Sequence, residues 1–445
     1  MTRKNKMNKS LISILITATL GLSQSYAMTA LNDEELSEVE GQSLMNLEFQ
    51  QGTNTTDAQG KTYNQSNIGF YKLALSAELE LNANIKKLQL GCGGSNNSIR
   101  AGCDIDIDNL SLSGIPEAGQ ERPETSAKLT NPFIEFAIKN PTSAATREVL
   151  GFRVSAEKIV GLLTAGTNDG TPNGINTLSG YMKIAPATGS TKTQETPFTQ
   201  SLTGKVNIDG CFNCPRTFVT SNSTIKIPSM PVNFTTKEAI LNGSRLTSVN
   251  VKALADVPTI SLTENSGNMK AVVQGTTWVA FIPLNNFTIS DMRVNMQISG
   301  LKTDIALNQS LGLIHSLPLN NPVSLSLQKS KLFWPKEQAV AEQGWWLAVN
   351  DPVQLGTLNA SENYAVDINP ILPNVATYLS DWFDVNPLHV DFGSAVSALF
   401  TSKLVSNVGP VELGRLSALP LPLNNIPLGA SQNVISNCYG GLKFC

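Results

Sequence analysis

The chain has only two histidines, His315 and His389, in 445 residues. Neither pairs with another histidine at i, i+4, which excludes the helical metalloprotease arrangement. No serine sits in a Gly-x-Ser-x-Gly elbow. Gly91-Cys-Gly-Gly94 is glycine-rich but lacks the Lys-Ser/Thr of a phosphate loop. Glycoside hydrolysis needs two carboxylates at a set separation, and no pair stands out among the 35 acidic residues. Charge is sparse too. Asp, Glu, Lys and Arg make up 15% of the chain, against ~25% in typical soluble domains. The formal net charge is −3, so nucleic acid is excluded as the main partner, because phosphate binding needs a basic patch. Beyond the N-terminus no apolar run approaches the ~20 residues of a spanning helix. A transmembrane barrel would show a regular ladder of strands divided by short turns, and none is evident.

What is abundant is Ser, Thr, Asn and Gly. That mix suits exported β-proteins with many polar loops, and also partly disordered surface proteins. The N-terminus supplies the address. Arg3, Lys4, Lys6 and Lys9 form a positive n-region, Leu11 to Leu22 is apolar, and Ser25-Tyr26-Ala27 places small residues at −3 and −1. These are the parts of a secretory signal peptide over residues 1–27, cut after Ala27. Its four positives leave with it, taking the formal charge from −3 to −7. Residues 28–44 follow as a short acidic helical segment. Asn32 or Asp33 can cap it, Glu34 and Glu35 face the positive helix end, Leu36 and Val39 share a face, and Gly41 stops it.

Export changes how the cysteines read. The six fall in three close pairs, Cys92/Cys103, Cys211/Cys214 and Cys438/Cys445. Six cysteines allow 15 connectivities. Local pairing is the economical choice, because short loops close at little entropic cost. In an oxidising compartment such pairs are structural staples. Cys211-Phe-Asn-Cys214-Pro215 is also a CxxC, yet its flanks read as strands. That favours a tight turn disulfide over a thioredoxin-type redox site.

The body, residues 45–365, alternates with period two. From Tyr71 to Leu81, Leu73, Leu75, Ala77, Leu79 and Leu81 share one face and Lys72, Glu78 and Glu80 the other, which predicts a strand. Ile105 and Ile107 oppose Asp104, Asp106 and Asp108, with the apolar side switching near Asn109, as at a bulge or strand end. Strands follow at 133–140, 150–163, 206–209, 218–227, 240–251, 259–262, 272–281, 289–307, 323–327 and 345–349. Residues 164–174 and 185–200 read as polar loops, and 164–200 is where two lobes would divide. In the C-terminal segment, 366–445, Ile371, Leu372, Val375, Leu379 and Phe383 recur at helical spacing, and so do Val396, Leu399, Phe400, Leu404 and Val408. Two late helices are expected, then an extended strap through Pro410, Pro420, Pro422 and Pro427, since proline cannot sit in central strands. The fold class is mainly β: long antiparallel strands in a sandwich or extended sheet stack, with a short N-terminal helix and two near the C-terminus.

Few groups could carry chemistry. Asp104, Asp106 and Asp108 match positions 1, 3 and 5 of a calcium loop. Asn109 stands where that loop needs Gly, and Ile115 where it needs Glu. They remain weak metal candidates, with a solvated strand face as the plainer reading. His389 lies near Asp381, Asp384, Asp391 and Ser394 in sequence, but a triad is recognised only by geometry. Phe333-Trp334 and Trp345-Trp346 put adjacent aromatics on opposite strand faces, which suits sheet packing or one exposed contact residue. No cofactor is implied.

Three stretches carry a resemblance. They are Met28-Thr-Ala-Leu-Asn-Asp-Glu-Glu-Leu-Ser-Glu-Val-Glu-Gly-Gln-Ser-Leu44, the block from Asn131 to Pro141 continued through Thr146 to Arg153, and the terminus Asn437-Cys-Tyr-Gly-Gly-Leu-Lys-Phe-Cys445. Together they resemble the FilA-type pilus-system proteins of Gram-negative bacteria over about a tenth of the chain. The resemblance implies a secreted or surface protein tied to a pilus-like system, and it supplies no catalytic residues. The reading that follows is an exported, non-enzymatic surface or adhesion protein, located in the periplasm, at the outer surface or secreted. Its partners would be other components of that assembly and a host or surface ligand. Two alternatives stand beside it. One is a periplasmic carrier of an apolar ligand, suggested by Met292, Val294, Met296 and Ile298. The other is an extracellular hydrolase using His389.

Overall fold

The computed structural model describes residues 45–57, 60–118, 120, 122–167, 173–209, 216–279, 282–390, 403–425 and 428–429. The expected signal peptide, the acidic helix at 28–44, and Cys211, Cys214, Cys438 and Cys445 lie outside them.

The strands run β1 (Met45–Gln51), β2 (Asn54–Thr56), β3 (Thr62–Asn64), β4 (Ile68–Leu75), β5 (Glu78–Leu81), β6 (Ala83–Leu90), β7 (Ile105–Ser113), β8 (Ala127–Lys139), β9 (Glu148–Thr164) and β10 (Ile175–Ile184). Next come β11 (Thr188–Thr193), β12 (Thr196–Pro197), β13 (Thr203–Ile208), β14 (Arg216–Ser221), β15 (Lys226–Ile227), β16 (Pro231–Thr235), β17 (Ala239–Leu246), β18 (Ser248–Asp256), β19 (Ile260–Leu262) and β20 (Met269–Gln274). Then follow β21 (Thr277–Val279), β22 (Ile282–Leu284), β23 (Phe287–Ser299), β24 (Lys302–Ser310), β25 (Ser316–Leu319), β26 (Val323–Gln328) and β27 (Gly344–Val353). The last are β28 (Asn359–Ala360), β29 (Ala365–Val366), β30 (Leu388–Val390), β31 (Lys403–Glu412), β32 (Leu419–Asn424) and β33 (Leu428–Gly429), and among the described residues there is one α-helix, α1 (Leu372–Val385), before β30. The protein is mainly β, as its alternation predicts.

A twelve-stranded sheet runs β1-β4-β8-β9-β26-β27-β10-β7-β6, with β5, β17 and β25 on its flanks. β7 also pairs with β9, so β9, β26, β27, β10 and β7 form a closed ring of pairings. The apolar switch at Asn109 marks the closure. Asn109 has φ 49° inside β7. Before it the strand pairs with β10, and after it with β9. The β6–β7 register is continuous through it, so this is a change of partner rather than a bulge against β6. Asn131, φ 47°, does the same in β8, between pairing with β5 and with β4. Asparagine tolerates this left-handed backbone better than most residues. Buried Arg122 ties the closure, donating to Ser113 Oγ at 2.6 Å, Thr164 Oγ1 at 2.8 Å and Leu162 O at 3.1 Å.

A seven-stranded sheet, β19-β23-β20-β14-β13-β30 with β31 beside β23, and a three-stranded sheet, β18-β24-β32, carry most of the remaining core. α1 covers this sheet through Leu372, Val375, Ala376, Leu379 and Phe383. Gly204 of β13 leaves it room: a Cβ there would lie 2.3 Å from Phe383 Cβ. Phe383 packs edge-on against Phe218, with centroids 5.3 Å apart.

Several expectations are corrected. The late helix over Ile371–Phe383 is present. Of the second, over Val396–Val408, the part from Lys403 onward is strand instead: Lys403–Glu412 is β31, parallel to β23, while residues 396–402 lie outside the described residues. Residues 185–200 are not one loop, since β11 lies in them and pairs with β16 and β29. The proline run falls in strands rather than a strap, Pro410 in β31 and Pro420 and Pro422 in β32, with Pro427 outside the described residues. In β32 the leucines point in and Pro420 and Pro422 point out. Asn425 N–H donates to Asn308 O of the neighbouring chain segment, so the odd positions face β24 and the prolines' missing N–H groups face away. Lastly, the single strand expected over Tyr71–Leu81 is two, β4 and β5. In β4 the sides are reversed from a usual half-buried strand, with Phe70, Lys72 and Ala74 buried and Leu73 exposed, whereas all four residues of β5 are exposed.

Candidate functional site

The reversal arises because the inner side of β4 lines a cavity of about 280 Å³. The floor comes from β4, β8 and β9, and the roof from the segment between β26 and β27. That segment folds back on itself, with Leu332 and Ala341 exchanging backbone hydrogen bonds. At its tip Glu337 N–H donates to Trp334 O at 3.2 Å. Pro335 takes the second position of this turn and Lys336 the third, with φ 64°. That is the type II pattern, which requires positive φ at its third position and usually places glycine there. Buried Trp334 anchors the turn on Phe70, 5.8 Å between centroids, in a small apolar cluster with Tyr181, Trp346 and Ala348. Gln65 holds it from the other side, donating to Phe333 O and accepting from Phe333 N–H.

Four glutamates and three cations meet in this cavity. Glu135 and Arg153 are cross-strand partners in the β8–β9 register and both are buried. Arg153 donates two hydrogen bonds to Glu135 Oε2, and one from Nη1 to Glu337 Oε1 at 2.9 Å. Ser324 Oγ donates to the same Oε1 at 2.7 Å. Lys72 Nζ lies 2.8 Å from Glu157 and 3.4 Å from Glu48. Both cations also approach the Phe133 ring, Lys72 at 4.9 Å and Arg153 at 5.4 Å. Burial pushes the Glu135 carboxyl above its ordinary range, against the pull of Arg153. Burial pulls the Lys72 ammonium down, but the hydrogen bond and charge of Glu157 outweigh it, and its pKa stands above the usual lysine value. The Asn131 amide and Lys72 hold Glu157 low. Two buried acceptors at this cavity have no partner among the described residues: Glu337 Oε2 and Asn350 Oδ1.

The opposite face of the same strands is apolar and open. Two cross-strand rows cross six strands. One is Leu47, Leu73, Ile134, Val154, Leu325 and Leu347, and the other is Phe49, Tyr71, Phe136, Phe152, Leu327 and Trp345. They are most exposed on β1, 70% at Leu47 and 54% at Phe49. β1 pairs only with β4 among the described strands, and all seven of its residues are exposed. Comparison with family models, curated proteins and solved structures finds no match. The chemistry of the chain therefore rests on its own geometry.

The residues singled out from sequence take other roles. Asp104 is a buried anchor. It accepts from Arg245 Nε at 2.9 Å, from Asn96 Nδ2 at 2.9 Å and from Trp345 N–H at 3.0 Å. Lys87 bridges Asp106 and Asp108 at 2.7 and 2.8 Å, and Asn176 donates to both, so an ammonium stands where a cation would. Among the described residues no three His, Cys, Asp or Glu groups converge to hold a metal ion. Cys92 and Cys103 form the expected disulfide. The flanks of the CxxC are antiparallel strands, β13 and β14. His389 stands exposed on β30, and Asp381 and Asp384 are exposed on α1. His315 is fully buried, with Nδ1 2.8 Å from Ala165 O. Met292, Val294, Met296 and Ile298 are at most 4% exposed and belong to packed core. Trp334 and Trp346 are core, and half-buried Trp345 meets Phe152 edge-on at 5.9 Å. Glu135, Arg153 and Lys72 were missed. Their signal was available: in Phe133-Ile-Glu-Phe-Ala137 the charge shares a strand side with Phe133 and Ala137.

Proposed function

We propose that this protein is an exported, non-enzymatic structural or adhesion component of a surface or pilus-like assembly. It docks against another subunit of that assembly through the apolar face of β1, β4, β8 and β9. The observation that carries this reading is that the two apolar rows are most exposed on β1, whose outer edge no described strand pairs. Soluble monomers rarely leave more than ~300–600 Å² of contiguous apolar surface open, and unpaired edges recruit further strands unless they are blocked. β1 offers one charge, Glu48, and no proline to block it. The Cys92–Cys103 disulfide agrees with an oxidising compartment. Among the described residues no helix is long and apolar enough to cross a membrane.

Two experiments test the reading. Cell fractionation with thiol labelling should find the chain exported and oxidised, and a reduced cytoplasmic pool would overturn it. Deletion of the gene should impair surface assembly or attachment, and an unchanged surface phenotype would count equally against it.

A further inference from the structure

The cavity beneath the Trp334–Glu337 turn is a separate feature on the other side of the sheet, and it points to a ligand. Two of its three cations are committed, Arg153 to Glu135 and Glu337 and Lys72 to Glu157 and Glu48, and the third, Lys336, is exposed at the turn. Its free valences are acceptors. The Glu337 side chain is 8% exposed, and its Oε2 has no hydrogen-bond partner among the described residues. A buried carboxylate oxygen left unpaired is costly, so the site is complete only when a donor fills it. Asn350 Oδ1 is a second such acceptor at the same cavity. The lining carries four glutamates against Lys72, Arg153 and Lys336, an excess of one negative charge. Phe70, Phe133, Pro322 and Pro335 supply apolar wall. Two free acceptors are too few for a hard cation, which takes six or more oxygens.

We infer that this cavity binds a primary aliphatic ammonium group. The ammonium donates to Glu337 Oε2 and Asn350 Oδ1, and its methylene arm lies along the Phe70, Phe133 and proline wall. Such a group reaches the site either as a free small amine or as a lysine side chain of a partner peptide.

Titration calorimetry on the mature chain tests this with three probes: pentane-1,5-diamine, Nα-acetyl-lysine amide, and pentane-1,5-diol as the neutral isostere. The expected result is binding of at least one ammonium probe and none of the diol. Binding of the diamine alone assigns a free amine, and binding of the lysine amide assigns a partner side chain. Glu337→Gln removes the charge but keeps an acceptor for Arg153, and should weaken binding by about tenfold or more, as for loss of a charge-assisted hydrogen bond. Asn350→Asp should tighten it, and this decides the matter if Glu337→Gln fails to fold by circular dichroism. The inference is overturned if no ammonium probe binds, if the diol binds as well, or if neither substitution shifts the affinity.

Discussion

Arg245→Ala should release the disulfide loop. Arg245 is fully buried on β17, with φ 50°. Its guanidinium donates to Asp104 Oδ1 at 2.9 Å, Asn97 Oδ1 at 2.8 Å, Gly91 O at 2.9 Å, Gly93 O at 2.7 Å and Arg100 O. Four of these acceptors lie in the loop between Cys92 and Cys103 or at its edge, and Asp104 follows it directly. Removing the arginine leaves the Asp104 carboxylate buried without its counter-charge, and stripping one partner from a buried pair costs about 3–5 kcal/mol. The disulfide spans 11 residues, and closing a loop of that size contributes about 3 kcal/mol in the chain-entropy account. One side chain therefore holds this loop at least as firmly as the covalent bond. A chain of this size is unsuited to a single global unfolding constant, so a local readout is better: reduction of Cys92–Cys103 in the native protein by a small thiol, followed by peptide mass spectrometry. A loss of 3–5 kcal/mol from the local opening free energy should speed reduction by roughly 10²- to 5 × 10³-fold. Asp104→Asn in the Arg245→Ala background should recover part of the loss, because it removes the stranded charge. An acceleration below about fivefold, or no recovery in the double variant, would refute the assignment of Arg245 as the loop's anchor.

Leu47→Lys with Ile134→Lys should leave folding intact, since both side chains are substantially exposed, yet weaken docking by 10²-fold or more at about 1.5–3 kcal/mol per lost apolar side chain; in-cell cross-linking that recovers normal assembly would oppose this. Lys336→Gly should stabilise the protein by about 0.5–1 kcal/mol, because a left-handed non-glycine residue costs about 1–2 kcal/mol and glycine returns part of that in unfolded-state entropy; thermal unfolding reads the difference. Glu157→Gln should destabilise over a plateau that closes at both ends of the pH scale. The folded Glu157 pKa is lowered from 4.5, so its contribution is present above that value and is lost as pH falls through the lowered one. The Lys72 pKa is raised from 10.5, so its contribution is present below that value and is lost as pH rises through the raised one. A difference between wild type and variant that does not vary with pH across that range would remove the ion pair from the account.

How far the sequence discloses this structure depends on what each signal encodes. Period two encodes a strand, and β9 is where it predicts one, whereas the single run expected over 289–307 is broken at Gly300-Leu301 into β23 and β24. It does not encode which side is covered, and the Leu73 side faces out because the Lys72 side lines a cavity. The spacing of Leu404, Val408 and Val411 shows how a strand can imitate a helix. In β31 the register against β23 steps from Asn295↔Asn407 to Met296↔Gly409, so Val408 is an extra residue. Gly409 takes φ 83° beside it. One inserted residue turns a spacing of two into three, and buried Val408 and Val411 then lie three apart. The short strands of 185–200 were unreadable for another reason. β11 alternates Gly189, Thr191 and Thr193 inward, and these small polar residues carry no hydropathy contrast. The ion cluster lay within reach, because Glu135 and Arg153 each sit on the covered side of a strand; their pairing needed the β8–β9 register, which only the fold supplies.

An antiparallel sheet with one covered face usually turns its apolar side to the core and its polar side to water. Across β4, β8, β9 and β26 this chain does the reverse. Lys72, Glu135, Arg153, Ser324, Ser326 and Gln328 are buried, while Leu73, Ile134, Phe136 and Val154 are open. A slip of one residue in any of these strands would exchange the two faces. The cross-strand Glu135–Arg153 pair and the covering turn hold the present register, since either charge moved to the open side would leave its partner buried alone. Burying ions is a poor route to stability, and leaving leucines in water forgoes about 25 cal/mol for each Å² that burial would gain. An arrangement unfavourable on both faces of an isolated chain becomes favourable when both are occupied, with a subunit over the apolar rows and a donor in the cavity. The two proposals thus account for one inversion, and each names the contact that would make its side of the sheet an interior.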